Sequence, residues 1–207
     1  MFEIVKAGGW VMVPLIACSV MAAAIILERL WSLQAKRVVP ADLAAKVWGW
    51  VEKKQLDERH IRALHDSSPL GQILAAGLAK RQRPRAVIKE SIEDTGRHVV
   101  HELERFLNSL GTIASIAPLL GLLGTVMGMI RTFNAVTEHG VGDPAALAGG
   151  IAQALITTVA GLCVAIPAVA AYRYLHSRVD SLVVQMEKEA MRLVDALEAD
   201  QEKPISL

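Results

Sequence analysis

Three blocks of this chain, 7–27, 106–130 and 144–172, contain no formally charged residue, although Lys and Arg together number 22 and Asp and Glu 21. Each block exceeds the roughly 20 apolar residues that carry a helix across a hydrocarbon core about 30 Å thick. The blocks are rich in Ala, Leu, Ile and Gly and lack the alternation of a membrane strand, so helices that satisfy their own backbone are the viable solution. The sequence predicts an all-α integral membrane protein with three transmembrane helices and no sheet.

Trp10 and Trp31 bracket the first block. Their separation corresponds to about 32 Å of helix, which matches the distance between the two headgroup belts that indoles prefer. Leu15, Ile16, Ala17 and Cys18 resemble a lipoprotein cleavage box. However, the apolar run continues through Leu27 and Lys6 is offset by Glu3, so this segment is expected to be retained. Fifteen basic residues lie between Arg29 and Arg105 and five between Arg173 and Lys203, leaving only Lys6 and Arg131 elsewhere. This bias places the middle segment and the tail in the cytoplasm, with the N-terminus and the loop after Arg131 outside. Cys18 and Cys163 both fall within spans, where thiols act as small apolar packers, and no disulfide or metal framework is implied.

The chain divides into 1–33 (outer N-terminus and first span), 34–84 (a cytoplasmic helical subdomain) and 85–134 (a long helix with the second span). An outer loop at 135–143 follows, then 144–200 (the third span continuing as a cytoplasmic helix) and a flexible tail at 201–207. The subdomain has breaks at Pro40, at Ser67, Ser68 and Pro69, and at Pro84, with a modest apolar face from Leu43, Val47, Trp50, Val51, Ile61 and Leu64. From Arg85 on, Ile88, Ile92, Val99, Leu103, Phe106 and Leu110 form one stripe at spacings of three and four, with Thr95 filling the gap. This predicts a helix running unbroken from the cytoplasm into the second span. Leu175, Val179, Leu182, Met186, Ala190, Leu193 and Leu197 predict the same for the third. Each helix is then on the order of 50 residues, or about 75 Å, long.

No phosphate-binding glycine loop, metalloprotease helix, Cys-x-x-Cys pair or nucleophile elbow occurs, so no enzyme, catalytic residue, cofactor or nucleic-acid partner is expected. His98 and His101 share a helix face, which reads as a solvated pair and not as a metal site. The basic stretch Lys80, Arg81, Arg83 and Arg85 suits either anionic headgroups or a solvated face. The second span carries Pro118 with Gly121, Gly124 and Gly128, and the third carries Gly161 and Pro167. Glycines at such spacings let helix backbones approach closely, and the prolines shape their helices. Thr125, Gln153 and Thr158 are polar groups that lipid hosts poorly, so they are expected to face protein or water.

Ala117, Pro118, Gly121, Gly124, Thr125 and Gly128, followed by Gly150, Ala154, Thr158, Gly161, Ala165 and Pro167, resemble the ExbB/TolQ/MotA family of bacterial inner-membrane energy-coupling subunits. The ExbB branch is nearest and TolQ next, and the topology agrees across nearly the whole chain. The resemblance implies a homopentamer with a central lumen, enclosing single-span helices of an ExbD- or TolR-like partner that carries a membrane aspartate. Proton flow would then drive a TonB- or TolA-like protein, with this chain in the inner membrane, its N-terminus and 135–143 loop periplasmic and its C-terminus cytoplasmic. The family generally carries a glutamate where this chain has Gln153, which cannot titrate.

Spans two and three contain no Asp, Glu, His, Lys or Arg between Leu107 and Ile130 or between Pro144 and Tyr172. A device driven by protons needs a charge that changes inside the membrane, so the titrating carboxylate is expected on the partner. Thr125 and Thr158 would offer hydroxyls to it or to bridging water, with Gln153 also lining the pathway. The expected function is that of an ExbB-like motor subunit energising outer-membrane transport. A TolQ-like envelope-maintenance role and a non-conducting membrane scaffold stay open beside it.

Overall fold

The computed structural model of the chain describes residues 8–52, 57–139 and 144–201. Among these the regular structure is α-helical throughout: α1 (Met12–Ser32), α2 (Ala35–Val38), α3 (Ala41–Glu52), α4 (Glu58–His65), α5 (Pro69–Ala79), α6 (Arg85–Leu103), α7 (Leu107–His139) and α8 (Pro144–Gln201). Among the described residues, three helices are long and apolar enough to cross a membrane. Only 17%, 33% and 28% of their most apolar windows are buried within the chain, so lipid or other chains must cover most of that surface. The chain is an all-α membrane protein. Trp10 and Trp31, at the ends of the first span, are 57% and 59% exposed, as suits indoles at an interface.

The residues group into two units. The first combines the chain up to Arg29 with Phe106–Tyr174. Its core is built by Val11, Met12 and Leu15 of the first span and its lead-in turn, against Ala117 of α7 and Ala165 of α8. Small residues from α7 and α8 let the bulky side chains of α1 fill the groove between them.

The second unit combines Leu30–Arg105 with the chain from Leu175 onward. The stripe predicted on the third helix is realised in full: Leu175, Val179, Leu182, Met186, Ala190, Leu193 and Leu197 are all buried. They meet α5 and α6, with Gly77 lying against Ile92 and Leu193. α5 begins with Ser68 accepting a hydrogen bond from the Gly71 amide at 3.1 Å and with proline in its first turn. It buries Leu70, Ile73, Leu74, Ala75 and Leu78. The apolar face expected of 34–84 is thus centred on α5; Val47 and Leu64 are buried, while Leu43, Trp50 and Ile61 are half-buried. Arg85 pairs with Asp195 at 3.0 Å and with Glu198, which ties the start of α6 to the end of α8 and takes one residue out of the basic stretch. Leu193→Ala is expected to destabilise this unit by about 2–5 kcal/mol through the cavity it leaves, read as faster hydrogen exchange in α5 and α6.

The second long helix differs from expectation. Instead of running unbroken over 85–134, it is interrupted at Glu104, Arg105 and Phe106 and resumes as α7, which continues to His139. Phe106 adopts φ 64°, a left-handed conformation costing a non-glycine residue about 1–2 kcal/mol. The Arg29 guanidinium lies 5.4 Å from the Phe106 ring centroid and offsets part of that cost. The break turns Phe106 off the stripe, so it is exposed while Leu103, Leu107 and Leu110 are buried. Residues 135–139, expected in the outer loop, are helical, whereas 140–143 and the tail at 202–207 lie outside the described residues. α8 is one helix of 58 residues, about 87 Å long.

Candidate functional site in the transmembrane unit

The seam between α7 and α8 is set by glycines. Gly121 faces the Thr157 carbonyl oxygen, the Thr158 Cα and the Gly161 Cα, at 3.1, 3.2 and 3.4 Å from where a Cβ on residue 121 would stand. Gly161 meets the Ala117 carbonyl in the same way, at 2.7 Å, and Gly128 meets the Gly150 carbonyl at 2.8 Å. Gly124 is closed off by the Thr157 side chain, whose Cγ2 would lie 2.8 Å from a Cβ at 124. All four glycines singled out in the sequence therefore sit on one helix contact. Pro118 is half-buried within α7 and Pro167 is exposed within α8. Each removes one backbone donor, leaving the carbonyls four residues earlier, at Ala114 and Cys163, without that helical partner.

The three polar residues singled out in the sequence occupy different environments. Thr125 is half-buried and donates to the Leu122 carbonyl at 2.6 Å. Thr158 is half-buried; its hydroxyl lies 3.3 Å from the Ala154 carbonyl and 3.4 Å from the Gly121 carbonyl across the seam. Each hydroxyl spends its one proton on a backbone carbonyl and keeps lone pairs to accept from water or another chain. Gly121 is four residues before Thr125, so the two threonines lie within about a turn of each other along the seam.

Gln153 is 7% exposed and sits inside the chain, on α8 between α7 and the turn that leads into α1. Its Oε1 accepts from Arg131 Nη1 at 2.8 Å, and its Nε2 donates to the Gly8 carbonyl at 3.5 Å. Gly9, at φ 70°, passes so close that a Cβ there would stand 2.5 Å from the Gln153 amide nitrogen. Sequence reasoning treated Arg131 only as a topology marker and did not single out Thr157, which is fully buried and donates within its own helix toward Gln153 and Ala154 carbonyls at 3.0 and 2.9 Å. The available signal for Arg131 was its position directly after a charge-free block. Among the described residues no cluster of metal-ligating side chains occurs, and His98 and His101 are exposed.

Comparison with known proteins bears on these same residues. The profile of the MotA/TolQ/ExbB proton channel family matches residues 65–188, which include all of α7 and α8 as far as Lys188. ExbB-like 1 of Synechocystis sp. is 39% identical over 178 residues, covering 82% of this chain and 68% of that protein. The ExbB homolog of Methanothermobacter thermautotrophicus is 38% identical over 120 residues, 58% of this chain and 42% of the relative, so the chain spans less than half of that protein's length. The Tol-Pal system protein TolQ of Haemophilus influenzae is 31% identical over 183 residues, 83% of this chain and 80% of TolQ. With a family match over more than half its length and its glycine seam inside that match, the chain belongs to the MotA/TolQ/ExbB proton channel family.

Proposed function

We propose that this chain is the housing subunit of an inner-membrane motor driven by the proton gradient, acting in the ExbB manner with a single-span partner that carries the titrating acid. The observation that carries the reading is the seam itself: two charge-free spans closed on each other by glycines and carrying half-buried hydroxyls at Thr125 and Thr158, in a chain of this family. Such a wall can pass a proton to or from a carboxylate without trapping it, because neither hydroxyl holds a charge. Most of the spanning surface is unburied within one chain, which supports assembly of several copies around a lumen, five by the family resemblance. The basic bias of the middle segment and tail supports a periplasmic N-terminus and a cytoplasmic C-terminus. A TonB-like protein is the proposed recipient of the motion; the similarity to TolQ favours a TolA-like recipient as the second reading.

The test is reconstitution in vesicles with a single-span protein bearing a membrane aspartate. Proton uptake under an imposed gradient is expected only when both chains are present, together with gradient-dependent crosslinks between them. A stable complex with neither flux nor gradient-sensitive crosslinks would make the chain a passive scaffold.

A further inference from the structure

We propose that Arg131 is a positioning residue that turns Gln153 into an uncharged clasp for the outer ends of all three spans, and so removes position 153 from the proton pathway. The second clause rests on the function proposed above; the first stands on geometry alone. A guanidinium only donates, so the oxygen of the Gln153 amide is committed to Arg131. The amide nitrogen then faces a carbonyl, that of Gly8, and needs a donor there. A neutral amide satisfies a cation on one side and a carbonyl on the other, whereas an ionised carboxylate of the same size would satisfy the cation and leave the carbonyl without a donor. The arrangement joins α7 through Arg131, α8 through Gln153 and the turn leading into α1 through Gly8.

Gln153 is buried, so its side-chain amide is largely shielded from solvent. Gly9 leaves no room for a side chain over the amide, and the backbone carbonyl of Gln153 accepts from the buried Thr157 hydroxyl. Arg131 is itself exposed, at the end of the charge-free block, and its guanidinium reaches the buried amide. The half-buried hydroxyls of Thr125 and Thr158 bond instead to the Leu122, Gly121 and Ala154 carbonyls, away from the clasp.

The test uses Gln153→Glu with and without Arg131→Met, purified in detergent without partner or gradient. With Arg131 present, infrared spectra at neutral pH are expected to show an ionised carboxylate, because the guanidinium stands beside it. In the Gln153→Glu, Arg131→Met double variant, burial without a counter-charge is expected to give the protonated carbonyl band instead. A second cycle guards against misfolding: Arg131→Met and Gln153→Met are each expected to lower the melting temperature, and the pair together by less than the sum of the two, since the Arg131–Gln153 bond is lost once in each and the Gly8 carbonyl loses its donor with Gln153 in either background. In vesicles, Gln153→Glu alone is expected to change proton leak less than about twofold, and the double variant to raise it several-fold. The same band in Gln153→Glu with and without Arg131, or additive losses in the methionine cycle, would overturn the clasp whatever the motor proves to be. Intact clasp signatures with a large leak in Gln153→Glu alone would overturn only the exclusion of position 153 from the pathway.

Discussion

Gly124→Val is expected to prevent α7 and α8 from closing, with the protein lost from the membrane fraction and none recovered as a folded species in detergent. The Cβ alone would meet the Thr157 Cγ2 at 2.8 Å and its Cβ and Oγ1 closer still. Thr157 has no way to yield: it is fully buried, β-branched, and hydrogen-bonded into its own helix. The backbones must therefore part, carrying Gly121, Gly128 and Gly161 out of contact with them. Overpacking of this kind costs about 1–3 kcal/mol in a water-soluble core and often more where nothing relaxes. In a bilayer the loss is harder to recover, because lipid is as apolar as the helices and association rests on close packing. The milder Gly124→Ala is expected to be rescued by Thr157→Gly, which removes the opposing Cβ, and not by Thr157→Ala, which keeps it. Thermal unfolding across the set measures this; equal melting temperatures for Gly124→Ala and wild type would show that the seam has slack.

Which parts of this were legible beforehand follows from where the information lies. Charge-free length decides the three spans, and the step of three and four on 175–197 decides the continuous third helix, because each pattern is local and strong. The break at Phe106 gives no such sign. No glycine or proline marks it, and the apolar spacing runs through Leu103, Phe106 and Leu110 as though the helix were whole. Leu107 takes up the buried face only after the left-handed residue resets the register. α5 was underread for the opposite reason, since its run is apolar on nearly all sides and periodicity cannot say which face is covered. The same limit applies within the spans. Thr157 and Thr158 are adjacent in sequence but about 100° apart on the helix, so one is sealed and the other half-buried. The placement of Gln153 depends on Gly8 and Arg131, 145 and 22 residues away, and no pattern along the chain links them.

That 100° separation yields the second large effect. Thr158→Val is expected to abolish gradient-driven activity, by about 100-fold, the lower end of what a positioned proton-transfer group contributes, while the complex with its partner still assembles. The structural cost is small, because the hydroxyl makes only long contacts, 3.3 and 3.4 Å, to carbonyls of helical backbone, and valine fills nearly the same volume. Thr157→Val is the matched control: it makes the same exchange one residue away, where the hydroxyl is fully buried and committed to its own helix. It is expected to retain at least about half the activity, since its oxygen reaches no water to relay a proton through. Serine at 158 keeps the hydroxyl and is expected to restore most of the rate. The comparison is made on reconstituted complexes with matched protein content, by gradient-driven proton uptake. If Thr158→Val and Thr157→Val fall together, the loss reflects packing of the seam; if neither falls, protons cross without the Thr158 hydroxyl and the relay must run elsewhere in the assembly.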